Sequence, residues 1–189
     1  FPVVLTVFLA MGAWRISKRD VLTRRMPAIE TIGAATVLAV DKTGTLTENR
    51  MRLAAIESLT GKHDLRESAA AIEPEIRVVL ATALAASELD GFDPMERAIH
   101  EAASLHAAAA VARLGSLQVV HEYDLTPELA AVTHVGKVGD GAPCEVAVKG
   151  APETVFGLCR VPPAQRSELL ARVAAHAASG LRVLAVASG

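Results

Sequence analysis

Aromatic side chains are scarce in this sequence: Phe, Trp and Tyr together make up 3% of 189 residues, with one Trp and one Tyr. A core must therefore be assembled from Ala, Val, Leu and Ile, which suits closely packed helices and buried strands. Only two cysteines occur, Cys144 and Cys159. They exclude a disulfide scaffold and make a reducing compartment the default. Neither sign of charge dominates, since 19 Lys+Arg against 21 Asp+Glu leaves a net charge of −2. That balance removes the electrostatic case for nucleic acid as a partner. The six histidines (His63, His100, His106, His121, His134, His176) and the two cysteines show no zinc-type spacing. Internal repeats are absent, as is an initiating Met; the sequence opens on Phe1 and reads as a piece of a longer chain. What is present is apolar: 51% hydrophobic residues, which argues against disorder. The length admits one full domain, or one domain with pieces of another.

The run from Phe1 to Trp14 (FPVVLTVFLAMGAW) carries no charge and only Thr6 as a polar side chain. As a helix it rises roughly 21 Å, short of the ~20 residues that a bilayer crossing needs. Nothing basic precedes it, which opposes a signal peptide, while Arg15, Lys18, Arg19, Arg24 and Arg25 follow it. Basic residues past an apolar helix mark the cytoplasmic side. Residues 1–15 are expected to be the C-terminal part of a transmembrane helix, with a cytosolic stalk over 16–33. A buried core helix with a solvated basic end is the plainer alternative.

Ala34 to Val40 (AATVLAV) is a short continuous apolar run, the pattern of a strand buried on both faces. Helices are expected over Pro74–Ser87, Pro94–Leu114 and Pro163–Ser179, the last capped by Gly180. Strands are expected at Leu117–Tyr123, Ala130–Val135, Glu145–Val148 and Leu181–Ala187, with turns at Thr126-Pro127 and Gly139-Asp140-Gly141.

Asp41-Lys42-Thr43-Gly44-Thr45-Leu46-Thr47 follows the expected strand at its carboxyl end, the edge where open α/β sheets bind ligands. An Asp there can attack a phosphoryl group, provided Mg²⁺ bridges the two anions. Lys42, Thr43 and Thr45 add a cation, hydroxyls and backbone N–H groups, and Gly44 lets the backbone approach a phosphate closely. As bare composition, the string is equally an ordinary polar loop in which Asp41 starts a turn.

The string DKTGTLT resembles the phosphorylation signature of P-type ATPases, the ion pumps that form an aspartyl phosphate. The flanks agree: Met26 to Gly33 is similar to the segment before the phosphorylation strand, and Glu48-Asn49-Arg50-Met51 to its continuation. The resemblance implies that Asp41 is phosphorylated, that Lys42 and Thr45 contact phosphate, and that the Thr43 carbonyl helps Asp41 hold Mg²⁺. Soluble phosphatases of the haloacid-dehalogenase superfamily place a second Asp two residues after the nucleophile. Here Thr43 stands there, so the phospho-enzyme is expected to hydrolyse slowly, as a pump requires.

Three sites bear on nucleotide. Asp93, Pro94 and Glu96 make a good helix cap, and the resemblance gives Glu96 a second role toward the adenine amino group. In Val148-Lys149-Gly150-Ala151-Pro152-Glu153, Pro152 and Glu153 suit a helix start, which leaves Lys149 unexplained. KGAPE is similar to the family's nucleotide-pocket motif, which implies that Lys149 and Gly150 line it. Arg182 sits in an apolar strand, either snorkelling to water or, by the resemblance, contacting ATP phosphates. Tyr123 can stack on adenine, but Leu125 and Glu128 stand where calcium-pump relatives carry basic residues.

The expected fold is α/β: a partial haloacid-dehalogenase-like phosphorylation segment over 34–51, then a nucleotide-binding domain over 52–189. The latter is expected to be an antiparallel sheet with flanking helices, incomplete at its C-terminus. The implied function is that of a fragment of an ATP-driven cation pump of the calcium/sodium/proton-pump-like branch. Its cofactors would be ATP and Mg²⁺. Its partners would be a transported cation, the lipid bilayer and the pump's remaining domains; its location would be the plasma membrane, as a multi-pass protein. Two alternatives stand beside it: an isolated nucleotide-binding module or decayed product without catalysis, and a soluble phosphatase, which Thr43 and the apolar start oppose.

Overall fold

Proline supplies the punctuation of this chain: six of the seven α-helices among the described residues open on one. At the first helical position the ring presets φ, and the missing N–H is one that would have had no partner. The computed structural model describes residues 2–22, 24–25, 27–66, 72–88, 92–139 and 141–189. They fall into two units, Phe1–Glu48 and Asn49–Gly189.

In the first unit, α1 (Pro2–Ser17) and α2 (Pro27–Gly33) pack where Gly12 meets Ile29; a Cβ on Gly12 would lie 3.3 Å from Ile29 Cγ2. Most apolar side chains of α1 are exposed, Phe8 at 67%, and none is buried; Leu9, Ala13 and Ile16, on the side of Gly12, are half-buried. At its basic end the Lys18 ammonium sits 3.9 Å from the Trp14 ring centroid. Among the described residues no helix is long and apolar enough to cross a membrane.

The strand expected over 34–40 does not form. These residues have no ladder partner and lie open, with Val37 and Leu38 more than four-fifths exposed. A parallel strand is held by its neighbours and covered by crossover helices. Among the described residues of this unit there is no strand to pair with it, so its apolar run has nothing to bury against.

The second unit begins with a small hairpin, β1 (Ala55–Glu57) paired antiparallel to β2 (Lys62–Asp64). Ser58 closes its turn, its Oγ accepting the Gly61 and Thr60 N–H groups at 2.9 and 3.2 Å. At the far end Arg66 grips Asp64 with two nitrogens, at 3.0 and 2.6 Å, and holds that carboxyl below the usual carboxylate range. Three helices follow: α3 (Pro74–Ala85), α4 (Pro94–His106) and α5 (Ala108–Leu114). Ile76, Leu80 and Leu84 recur every four residues along α3 and meet Ile99, Ala103 and Leu114 in the main core.

The single helix expected over Pro94–Leu114 is two. The chain leaves helical geometry at Ala107 (φ −141°, ψ 44°), and the turn carries both Ala107 and Leu114 into the core beside α3. Packing overrides an alanine-rich sequence with no breaker of its own.

A four-stranded antiparallel sheet completes the unit in the order β3-β4-β5-β6: Leu117–Tyr123, Ala131–Val138, Glu145–Gly150 and Ala185–Ser188. The register slips between Val119 and His121, a bulge on the outer strand β3. The expected first three strands are thus present; the fourth starts four residues later than expected, at Ala185. Two helices lie between β5 and β6, α6 (Pro152–Leu158) and α7 (Pro163–Ala178). Gly180 ends α7 as expected, at φ +78°. Its N–H donates to the Ala177 carbonyl at 2.9 Å, and the Leu181 N–H donates to that of His176 at 3.2 Å.

Residues of neighbouring strands that face each other share a side of the sheet. Val132, Lys149 and Val186 form one row, on the side that α3 covers through the His134–Ala85 contact. Tyr123, Thr133, Val148 and Ala187 form the adjacent row, on the opposite side, where Ala131 and Val148 pack with Val155 of α6. Gly150 allows the strands to close: a Cβ there would lie 2.4 Å from the Ala130 carbonyl oxygen and 2.5 Å from Ala131 Cα. Gly150→Ala is expected to destabilise this unit by about 2 kcal/mol or more, because backbone has to give way. Gly157→Ala, where no atom lies within 4 Å, is the control and is expected to be neutral or slightly stabilising. Urea unfolding of the two variants checks the pair.

Candidate functional site: a buried lysine at a cavity wall

In the first unit, Asp41 precedes a wide turn over Lys42–Leu46 and is extended (φ −67°, ψ 142°). Thr47 closes the turn. Its N–H and hydroxyl donate to the Lys42 carbonyl at 3.1 and 3.3 Å, and its Oγ1 accepts the Gly44 N–H at 3.4 Å. Gly44 takes φ +79°, a left-handed conformation that favours glycine. Asp41, Lys42, Thr43 and Thr45 are all exposed on this turn. A loop of this kind presents a carboxylate, a cation and free backbone groups to solvent.

The second unit builds its polar centre differently. Lys149 lies on β5 with its side chain 8% exposed, a position where an ammonium is costly unless paired. It has two partners: Nζ donates to Glu96 Oε1 and to Ser87 Oγ, each at 2.7 Å. Glu96 occupies the third helical position of α4, where a capping box would send its carboxylate back to the Asp93 N–H. It turns to Lys149 instead. Asp93 caps α4 alone, accepting the Met95 N–H on Oδ1 at 2.7 Å. The cap is thus made by Asp93, while the Glu96 carboxylate pairs with Lys149.

Lys149 also lines a cavity of about 760 Å³ within the second unit, walled by α3, α4, α6, α7, β1 and the segment before β6. That volume is within the usual range of small-molecule sites. Arg182 lines the same cavity. It was expected inside a strand, but the stretch 181–184 remains irregular and the Arg182 side chain is exposed. At the rim, Glu57 of β1 is held from α7 by Arg172 Nη1 at 3.3 Å and His176 Nε2 at 2.8 Å. Glu168 lies 2.6 Å from Arg172 and, with Glu57, pushes its guanidinium above the ordinary range, so the rim cation is permanent.

Of the residues singled out by sequence, Glu96 and Lys149 come together, and Lys149 and Arg182 share a cavity. Tyr123 joins neither. It stands on the opposite side of the sheet, half exposed, edge-on to His121 at 4.4 Å between ring centroids. Gly150 has the packing reason given above. Ser87 was missed: one serine just past an apolar helix carries no signal until the fold sets it against Lys149.

The second unit is thus an α/β module whose sheet delivers a buried cation to a ligand-sized cavity. Comparison with known proteins narrows the class. The chain is 35% identical over 198 residues to a probable cation-transporting ATPase I of Mycobacterium tuberculosis, covering 98% of the chain and 12% of that protein. It is 52% identical over 62 residues to the cation-transporting ATPase pma1 of Synechocystis, covering 33% of the chain and 7% of that protein. It is also 44% identical over 64 residues to the calcium-transporting ATPase 1 of Saccharomyces cerevisiae, covering 32% and 7% respectively. No protein-family model matches the chain. The chain belongs to the P-type cation-transporting ATPases, and it spans 12% of the length of the mycobacterial relative.

Removing one partner of a buried ion pair costs more than removing both. Glu96→Ala, which leaves the Lys149 ammonium without its carboxylate, is expected to lower unfolding stability by roughly 3 kcal/mol. The double variant Glu96→Leu/Lys149→Met is expected to recover most of that loss. Urea midpoints of the two variants against the parent measure it.

Proposed function

We propose that this chain is a segment of an ATP-driven cation pump, in which Asp41 accepts the phosphoryl group and the second unit binds the nucleotide. The observation that carries the nucleotide half is the pairing of Lys149 with Glu96 at the wall of the 760 Å³ cavity that Arg182 also lines. Lys149 has three N–H donors and two protein acceptors, so one donor remains for a ligand. The exposed guanidinium of Arg182 suits a phosphate tail, because its planar fork matches phosphate oxygens.

The phosphoryl half rests on the turn over 42–46 and on kinship with proteins named as cation-transporting ATPases. A carboxylate oxygen of Asp41 attacks the γ-phosphorus, and ADP leaves. Lys42 and the Thr45 hydroxyl stabilise the charge on the transferring oxygens. Asp41 and the Thr43 carbonyl are hard oxygen donors of the kind Mg²⁺ takes, and both lie on an exposed loop that substrate can reach. Bound there, the ion would neutralise the repulsion between carboxylate and phosphate. Thr43 supplies no general base for hydrolysis. The apolar α1 and the basic residues after it fit a membrane-proximal position for the first unit, with the later residues cytosolic.

The test uses the full-length pump. With ATP labelled on its γ-phosphate, acid-stable label is expected on the protein and is expected to be absent from Asp41→Asn. Label that persists in this variant removes Asp41 as the nucleophile. Lys149→Ala is expected to weaken ATP binding; a titration curve matching the parent's overturns the nucleotide assignment.

A further inference from the structure

Ser87 lies immediately beyond α3, 3% exposed, and touches the one buried ammonium among the described residues. A hydroxyl has a single proton to give. That of Ser87 is given to the Ala83 carbonyl, 2.8 Å away in the last turn of α3. Only lone pairs therefore face Lys149 Nζ at 2.7 Å. Ser87 is a fixed acceptor whose direction is set by the helix rather than by the ligand.

We propose that Ser87 is a positioning residue of the nucleotide site, holding the Lys149 ammonium so that its third donor points into the cavity. The inference rests on the reading that Lys149 binds nucleotide. Two acceptors at equal distance, one charged and one neutral, anchor Nζ from two elements, α4 through Glu96 and α3 through Ser87. With Ser87 removed, only the Glu96 carboxylate holds the flexible four-carbon stem. The ammonium then collapses onto that carboxylate, and a nucleotide has to draw it away before it can bind. The carbonyl end of α3 adds a partial negative charge on the same side, which favours the cation at this point.

The position of that helix end does not depend on Ser87. The His134 Nδ1–H donates to the Ala85 carbonyl at 3.0 Å, so β4 fastens the same turn from the sheet. Ile76, Leu80 and Leu84 bury the body of the helix. Loss of the hydroxyl is therefore a local change in which Lys149 loses one acceptor.

The experiment measures ATP binding by calorimetry and thermal unfolding on the full-length pump and its variants. Ser87→Ala is expected to weaken ATP binding roughly tenfold, the scale of a hydrogen bond to a charged group. Ser87→Cys, close in size but a poor acceptor, is expected to follow it. Ser87→Thr, which keeps the hydroxyl, is expected to restore binding to within about twofold of the parent. Ser87→Cys is expected to unfold below Ser87→Thr, because the buried ammonium loses an acceptor; the Lys149→Met background is what separates positioning from a merely structural part. In a Lys149→Met background, which itself is expected to bind ATP weakly, Ser87→Ala is expected to cost nothing further.

The proposal is overturned if Ser87→Ala and Ser87→Cys bind ATP like the parent while Lys149→Met does not. It is equally overturned if Ser87→Ala lowers affinity by the same factor in the Lys149→Met background. Parent-like ATP binding by Lys149→Met is a different result; it removes the nucleotide reading, and the role of Ser87 with it.

Discussion

A single ammonium on the inner side of a sheet must be neutralised, and the second unit is organised around how that is done. Lys149 is delivered by β5, its carboxylate by the first turn of α4 and its neutral acceptor by the end of α3. Three segments far apart in sequence converge on one atom. Each has a separate reason to be there: the β4–β5 register, the Asp93 cap and the α3 core row. A buried charge tolerates little misplacement, because the energy of its interactions rises steeply as water is excluded. The pairing thus acts as a check on the assembly of the whole unit.

The two units present opposite electrostatic settings. Asp41 stands on an exposed turn in water, where an anion is well solvated and metal and phosphate can reach it. Lys149 stands where water is scarce, so that a partner contributes more per contact. The proposed reaction, in which a nucleotide is held firmly and its terminal phosphate is attacked from an open carboxylate, would use both settings, one in each unit.

Much of this was legible in the sequence, and the rest was not for identifiable reasons. Signals confined to a few neighbouring residues read through: Asp93-Pro94 as a helix start and Gly180 as a helix end. The stretches at 117–123 and 145–148 are strands as expected. What failed depends on distant partners. The apolar run 34–40 has the composition of a buried strand but, among the described residues, pairs with no neighbouring strand. The break at Ala107 lies in a string of helix formers and is caused by what Leu114 packs against. The short hairpin β1–β2 offers only three residues per strand, too few to show a period. At the site, motif strings pointed to Lys149 and Glu96, whereas Ser87 belongs to no motif, and its relation to Lys149 spans 62 positions. Tyr123 shows the limit of residue type alone: an aromatic suited to stacking lies on the side of the sheet away from the lysine.

The irregularity on β3 bears on how the unit behaves in concentrated solution. Val119 and Val120, adjacent and both about half exposed, sit on an outer strand whose free amides could recruit the same strand of another molecule. Such zipping needs an even row of donors and acceptors, and the displaced residue between Val119 and His121 spoils that row midway. The kink thereby works as a guard against fibre-like association, at the place where the strand is most apolar.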